Sequence, residues 1–262
     1  MAHERARFGG TVTALQTRQI PSFDGIELAV HRMGEGRSVL LLHGLFSDAQ
    51  MNWVKFGHAQ KLVDAGCAVI MPDLRAHGRS AAPHDPDAYP NDVLAKDVAA
   101  VADALGLTDF DLVGFSLGAR TAARAVIGGL RPRKLVLSGM GLEGLSGWNN
   151  RAAFFIDAID RFDDIKRGDP AFMSAAFMKT MQVDLVAARL LLQSVADTAV
   201  AELAALTMPT MILCGDHDTD NGSATALAEA LPDAHYVEIA GTHMGSVTQA
   251  ALGDALVDFL AS

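Results

Sequence analysis

From residue 38 to residue 239 the chain keeps returning to short, mostly apolar runs, and helical patterns lie between them. The runs fall at 38–42, 68–71, 110–115, 134–137, 210–214 and 235–239, with an earlier one at 26–32. A strand covered on one face alternates apolar and polar residues, whereas a nearly continuous apolar run needs cover on both faces. Residues 49–65, 92–105 and 119–127 read as helices, and in the second of these Val93, Val98, Val101 and Leu105 form one stripe. This alternation predicts an α/β fold: a mostly parallel central sheet with helices on both faces.

The alternation breaks once. From 141 to 206 no strand pattern occurs, and helices are expected near 150–162, from an Asp169-Pro170 start with Asp169 as N-cap, and from Asp184. The expected organisation is a core formed by 1–140 and 207–262, with 141–206 inserted as a helical cap.

Composition narrows the class of function. A net charge of −10 over 262 residues disfavours nucleic acid and acidic membrane surfaces. Arg131-Pro132-Arg133-Lys134 is the only tight basic cluster and reads as a solvated loop end. No apolar run approaches the roughly 18 residues of a membrane span. Met1-Ala2-His3-Glu4-Arg5 lacks the apolar core of a signal peptide. Cys67 and Cys214 both sit inside apolar runs, which suits a reducing compartment. A cytoplasmic protein is expected, with a small-molecule substrate and neither nucleic acid nor membrane as partner. No Cys/His spacing suggests a metal, and His3, His31, His58 and His84 read as surface or satisfied residues.

Chemistry concentrates at four places. Gly114-Phe115-Ser116-Leu117-Gly118 joins a strand pattern to a helix pattern, the context in which G-x-S-x-G presents a nucleophilic serine on a sharp turn. Leu117 then opens a helix, where its amide can face a developing oxyanion. Leu41-Leu42-His43-Gly44-Leu45 ends an earlier strand, and the Leu45 amide is the expected second donor, with His43 a structural histidine. A serine hydroxyl needs a base that a third group orients. Among the downstream histidines His217, His235 and His243, only His243 directly follows the last strand. The acid lies in Asp216-His217-Asp218-Thr219-Asp220; position favours Asp218, with Asp216 and Asp220 as alternatives that would cap a turn or a helix.

These landmarks resemble the α/β-hydrolase superfamily from about residue 26 to the end. Gly215–Asp218 is similar to its G-x-x-D acid loop and Gly241–His243 to its histidine loop. Asp73-Leu74-Arg75-Ala76-His77-Gly78-Arg79-Ser80 resembles its structural D-x-R-G-H-G-x-S segment, with Ala76 where glycine is usual. The resemblance implies Ser116, Asp218 and His243 as catalytic residues, Leu45 and Leu117 as oxyanion donors, an acyl-enzyme, and no cofactor or metal. Relatives that open epoxides or cleave carbon–halogen bonds use aspartate where Ser116 stands. Relatives that cleave carbon–carbon bonds show a glycine-proline-glycine loop where Gly44-Leu45-Phe46-Ser47 stands here. Hydrolysis of a small, mainly apolar ester or lactone is expected. Cofactor-free perhydrolase or haloperoxidase-like chemistry, carbon–carbon bond hydrolysis and a slow-turnover small-molecule receptor are the alternatives.

Residues 140–182 hold nine of the chain's Phe and Met residues, more than even spreading would place there. Phe46, Phe155, Phe172, Met173, Phe177 and Met178 are therefore expected to line a substrate pocket that prefers uncharged hydrophobic esters.

Overall fold

The computed structural model describes residues 14–261, so the N-terminal segment and His3 considered above lie outside the described residues. Strands β1 (Gln16–Pro21), β2 (Glu27–Met33), β3 (Arg37–Leu42), β4 (Cys67–Pro72), β5 (Phe110–Phe115), β6 (Leu135–Ser138), β7 (Thr210–Gly215) and β8 (Ala234–Ile239) form one sheet. Its order is β1-β2-β4-β3-β5-β6-β7-β8. The pairs β1·β2 and β2·β4 are antiparallel and the others parallel, so the expected fold class is the observed one.

The apolar runs are strands because their side chains feed two cores in turn. Leu40, Leu42, Leu112, Leu135, Leu137 and Ile212 face one layer. It is built on α2 (Val93–Leu105), α3 (Leu117–Ile127) and α8 (Ala224–Ala230). Val39, Leu41, Val113, Val136, Met211 and Leu213 face the other, against α1 (His58–Asp64) and α10 (Ala250–Ala261). Leaving any of these side chains in water would forfeit about 1.5–3 kcal/mol, which fixes the register of the central strands.

Strand order also sets where a site can form. The chain passes from β3 outward to β4, then returns to lay β5 on the other side of β3. Loops leaving the carboxyl ends of β3 and β5 diverge there, and such a switch point opens a crevice. Between β6 and β7 the described chain forms α4 (Leu142–Ser146), α5 (Trp148–Asp160), α6 (Phe172–Thr180) and α7 (Leu185–Ser194), with no strand. A short α9 (His243–Ser246) follows β8.

Three expectations need correction. The stretch 49–65 is not one helix: a π-helical turn covers Gln50–Val54, and Gly57, at φ 82°, breaks the chain before α1. Asp169 does not cap α6. Its carboxylate accepts from Ala171 N–H at 2.8 Å within a turn, and the helix starts at Phe172. Strand β1 was not anticipated, because only Ile20 in it is fully buried and an edge strand carries no apolar run. Asp184 does cap α7, accepting from Ala187 N–H at 3.0 Å.

Candidate active site

Ser116 stands between β5 and α3 at φ 53°, ψ −114°. For a residue with a Cβ this backbone costs on the order of 1–3 kcal/mol and persists only where packing holds it. The flanking glycines show how. A Cβ on Gly114 would lie 2.2 Å from Gly118 O, and one on Gly118 would lie 2.1 Å from Leu42 O. The pattern is thus a packing requirement of a helix start pressed onto β3.

His243 opens α9 with Thr242 as N-cap. Its Nε2 lies 3.0 Å from Ser116 Oγ and its Nδ1 2.9 Å from Asp218 Oδ2. Read as a neutral ring, Nδ1–H donates to the carboxylate and Nε2 accepts from the hydroxyl. The second oxygen of Asp218 accepts from Asp220 N–H at 3.2 Å. The imidazole is largely buried beside Phe115, ring centroids 5.0 Å apart.

The three aspartates of this loop do different things. Asp218 meets His243. Asp216 accepts from Gly241 N–H at 2.8 Å and pairs with exposed His217, and both contacts hold its carboxyl below the usual range, the His217 bond most. It thereby pins the start of the histidine loop. Asp220 does not cap α8; Ser223 does, through Ala226 N–H. His235 packs on Phe259, ring centroids 5.2 Å apart, away from Ser116.

Two buried histidines set the loop after β3. His43 Nδ1–H donates to Gly44 O at 2.8 Å, while its Nε2 accepts from Leu74 N–H. His77 Nε2 accepts from Phe46 N–H at 3.0 Å, and its Nδ1–H donates to Arg75 O. Burial lowers both, His77 to about 3, so both rings remain neutral. Gly44 O and Leu45 N–H belong to one trans peptide, so anchoring the carbonyl turns the N–H the opposite way. Among the described residues, neither Leu45 N–H nor Leu117 N–H has a protein acceptor, and both residues line the same cavity as Ser116. Phe46 holds φ 60° while its ring packs edge-on against Phe155 at 5.5 Å. Ala76 takes φ 64°, a left-handed backbone that glycine adopts at no steric cost.

The cavity measures about 390 Å³. Phe46, Phe155, Met173 and Phe177 line it; Phe172 and Met178 do not, and Met178 is buried in the core beneath α6. Unanticipated linings include Asn52, Arg120, Arg151 and Asp220. Asn52 Oδ1 accepts from Gly44 N–H at 3.0 Å, and its buried Nδ2 has no partner among the described residues. No sequence signal marked it, since it sits inside an unbroken helical pattern. Of the other histidines, His31 bonds Thr17 and Asp73, His84 pairs with Asp184, and His58 donates to Val247 O while its Nδ1 has no partner among the described residues. The described residues contain no group of three or more His, Cys, Asp or Glu placed to hold a metal ion, and no helix long and apolar enough to cross a membrane.

Comparison with known proteins adds to this geometry. A family model described as the alpha/beta hydrolase fold matches residues 37–134. An esterase from Exiguobacterium antarcticum superposes with a TM-score of 0.79 at 20% identity, covering 94% of this chain and 100% of that one. The chain has the α/β-hydrolase fold. Curated relatives include an epoxide hydrolase from Caballeronia sordidicola, 37% identical over 42% of this chain and 32% of the relative. A non-heme haloperoxidase from Rhodococcus erythropolis is 39% identical over 46% of this chain and 43% of its own length. The chain therefore spans less than half the length of either curated relative.

Proposed function

We propose that the protein is a serine hydrolase that cleaves small, mainly apolar carboxylic esters or lactones through an acyl-enzyme. The observation that carries this reading is the continuous hydrogen-bonded chain from Asp218 through His243 to Ser116 on a strained elbow. Ser116 Oγ attacks the acyl carbon while His243 Nε2 takes its proton and Asp218 holds the imidazolium. Leu45 and Leu117 N–H groups receive the oxyanion. Collapse expels the alkoxide, which recovers the proton from His243. Water then attacks the acyl-enzyme by the same proton path and frees the acid and Ser116. On this reading 141–206 acts as a cap that supplies the cavity's apolar wall, and no metal or organic cofactor takes part.

The relative named an epoxide hydrolase supports hydrolysis in general, but a serine at 116 suits acyl chemistry rather than the aspartate chemistry that the family resemblance assigns to epoxides. The relative named a haloperoxidase favours a second reading, perhydrolysis, in which hydrogen peroxide replaces water at the acyl-enzyme.

Ser116→Ala is expected to abolish ester hydrolysis and fluorophosphonate labelling. Asp218→Asn should lower kcat by about 10⁴-fold, as where a triad tautomer is lost, and Asp216→Asn far less. Labelling that persists at another serine, or an Asp216→Asn loss larger than that of Asp218→Asn, would overturn the assignment. Multiple turnovers on simple esters separate an enzyme from a receptor, which would stall.

A further inference from the structure

The cavity that holds Ser116 also holds a guanidinium that the proposed acyl transfer does not use. Arg151, on α5, lines it beside Phe155, Met173 and Phe177. The guanidinium lies 5.7 Å from the centroid of the Phe155 ring, and one amino group donates to the backbone carbonyl of Asp220. Among the described residues it has no carboxylate within ion-pair distance, and its other N–H groups have no protein acceptor. Burial lowers its pKa in spite of the nearby Asp220 and Asp218 charges. Neither of those carboxylates answers it. Asp218 is bound by His243 and Asp220 N–H, and the Asp220 side chain is exposed to water.

Arg120 lines the same cavity and supplies the contrast. Its guanidinium donates to Gly144 O, Leu145 O, Ala196 O and Asp197, and burial lowers it to about 10. Arg120 is a clamp that ties α3 to α4 and to the chain just after α7. Arg151 keeps unused donors on a planar fork that matches a carboxylate in two-point fashion. A half-buried cation set against an apolar wall gains from an anion that joins it.

We infer that Arg151 receives a carboxylate on the substrate, so that the ester cleaved at Ser116 carries an anionic group on an otherwise apolar body. This rests on the proposed hydrolysis at Ser116, and it replaces the expected preference for uncharged esters. The apolar surplus of the lining then holds the substrate's body, and Arg151 fixes which end enters first.

The test compares three esters: butyl hexanoate, monobutyl adipate, and the hexanoyl ester of 6-hydroxyhexanoate. The second carries the carboxylate on the acyl side and the third on the alcohol side. One of the two anionic esters should exceed the neutral ester at least tenfold in kcat/KM, mainly through KM. Arg151→Gln should bring that ratio near one, and Arg151→Lys should keep part of it. Neither anionic ester exceeding the neutral one, or an Arg151→Gln ratio equal to that of the natural protein, would overturn the inference. If no ester is turned over, hydrolysis itself fails, and binding still decides. Calorimetry on Ser116→Ala should show at least one of the two anionic esters binding at least tenfold more weakly once Arg151→Gln is added. Equal affinity with and without Arg151, or no binding by either protein, would overturn the inference.

Discussion

A hydrogen-bond acceptor inside a protein must stay unprotonated to remain one, and His77 meets that condition through burial. Its ring nitrogen holds Phe46 N–H, and desolvation drives it from the ordinary 6.5 down to about 3. Between those values the unfolded chain binds a proton that the folded chain refuses, so stability falls as pH drops from 6.5 toward 3. For one such group the slope reaches about 1.4 kcal/mol per pH unit. His77→Gln keeps an acceptor without the titration. Urea unfolding at pH 7, 5.5 and 4.5 should therefore give a shallower loss for this variant than for the natural protein; parallel slopes would refute the assignment. His77→Leu should lose kcat with KM little changed, because Phe46 N–H is then released and the loop that carries the Leu45 amide loosens, and His77→Gln should restore most of it. Residue by residue, legibility followed chain distance. Ser116 and His243 could be read because each depends on its immediate neighbours in a strand–turn pattern. His77, Asn52 and Arg151 could not, since their partners Phe46, Gly44 and Asp220 are remote in sequence or hidden in the turn of another segment.

At the scale of elements, the central strands were legible because burial on both faces leaves apolar runs, and β5 was located to the residue. Edge strand β1 was not, since Gln16, Thr17, Arg18 and Gln19 carry no pattern and pairing with β2 makes the strand. Gly57 hid the break after the π-helical turn, because a lone glycine in a helical pattern is ordinarily tolerated. Helices α5 and α6 give the cavity its aromatic wall through Phe155 and Phe177. Each acyl methylene seated against that wall should add about 0.8 kcal/mol of binding, so kcat/KM should climb severalfold per carbon until the space is filled. Phe177→Ala should move the optimum to longer chains by about two carbons. The measurement is kcat/KM along an acyl series with the alcohol and any distal group held constant; an unmoved optimum would place the limiting wall elsewhere.

For the molecule as a whole, strand order does what no segment does alone. It sets residues 43–46 beside 114–118 and brings the loops after β7 and β8 to the same end, so the site is a property of topology. The mouth of the cavity has a chemical liability of its own. Met173 and Met244 line it and are 75% and 53% exposed. Exposed thioethers are oxidised to sulfoxides, which are polar and chiral. Brief hydrogen peroxide treatment should raise KM for apolar esters more than it lowers kcat, and the Met173→Leu, Met244→Leu double variant should keep its KM through the same treatment. Equal damage to both proteins would place the sensitive group elsewhere. A chain that released peracids through this mouth would pass each product molecule over two oxidisable sulfurs, and its apolar rim would wear away with its own turnover.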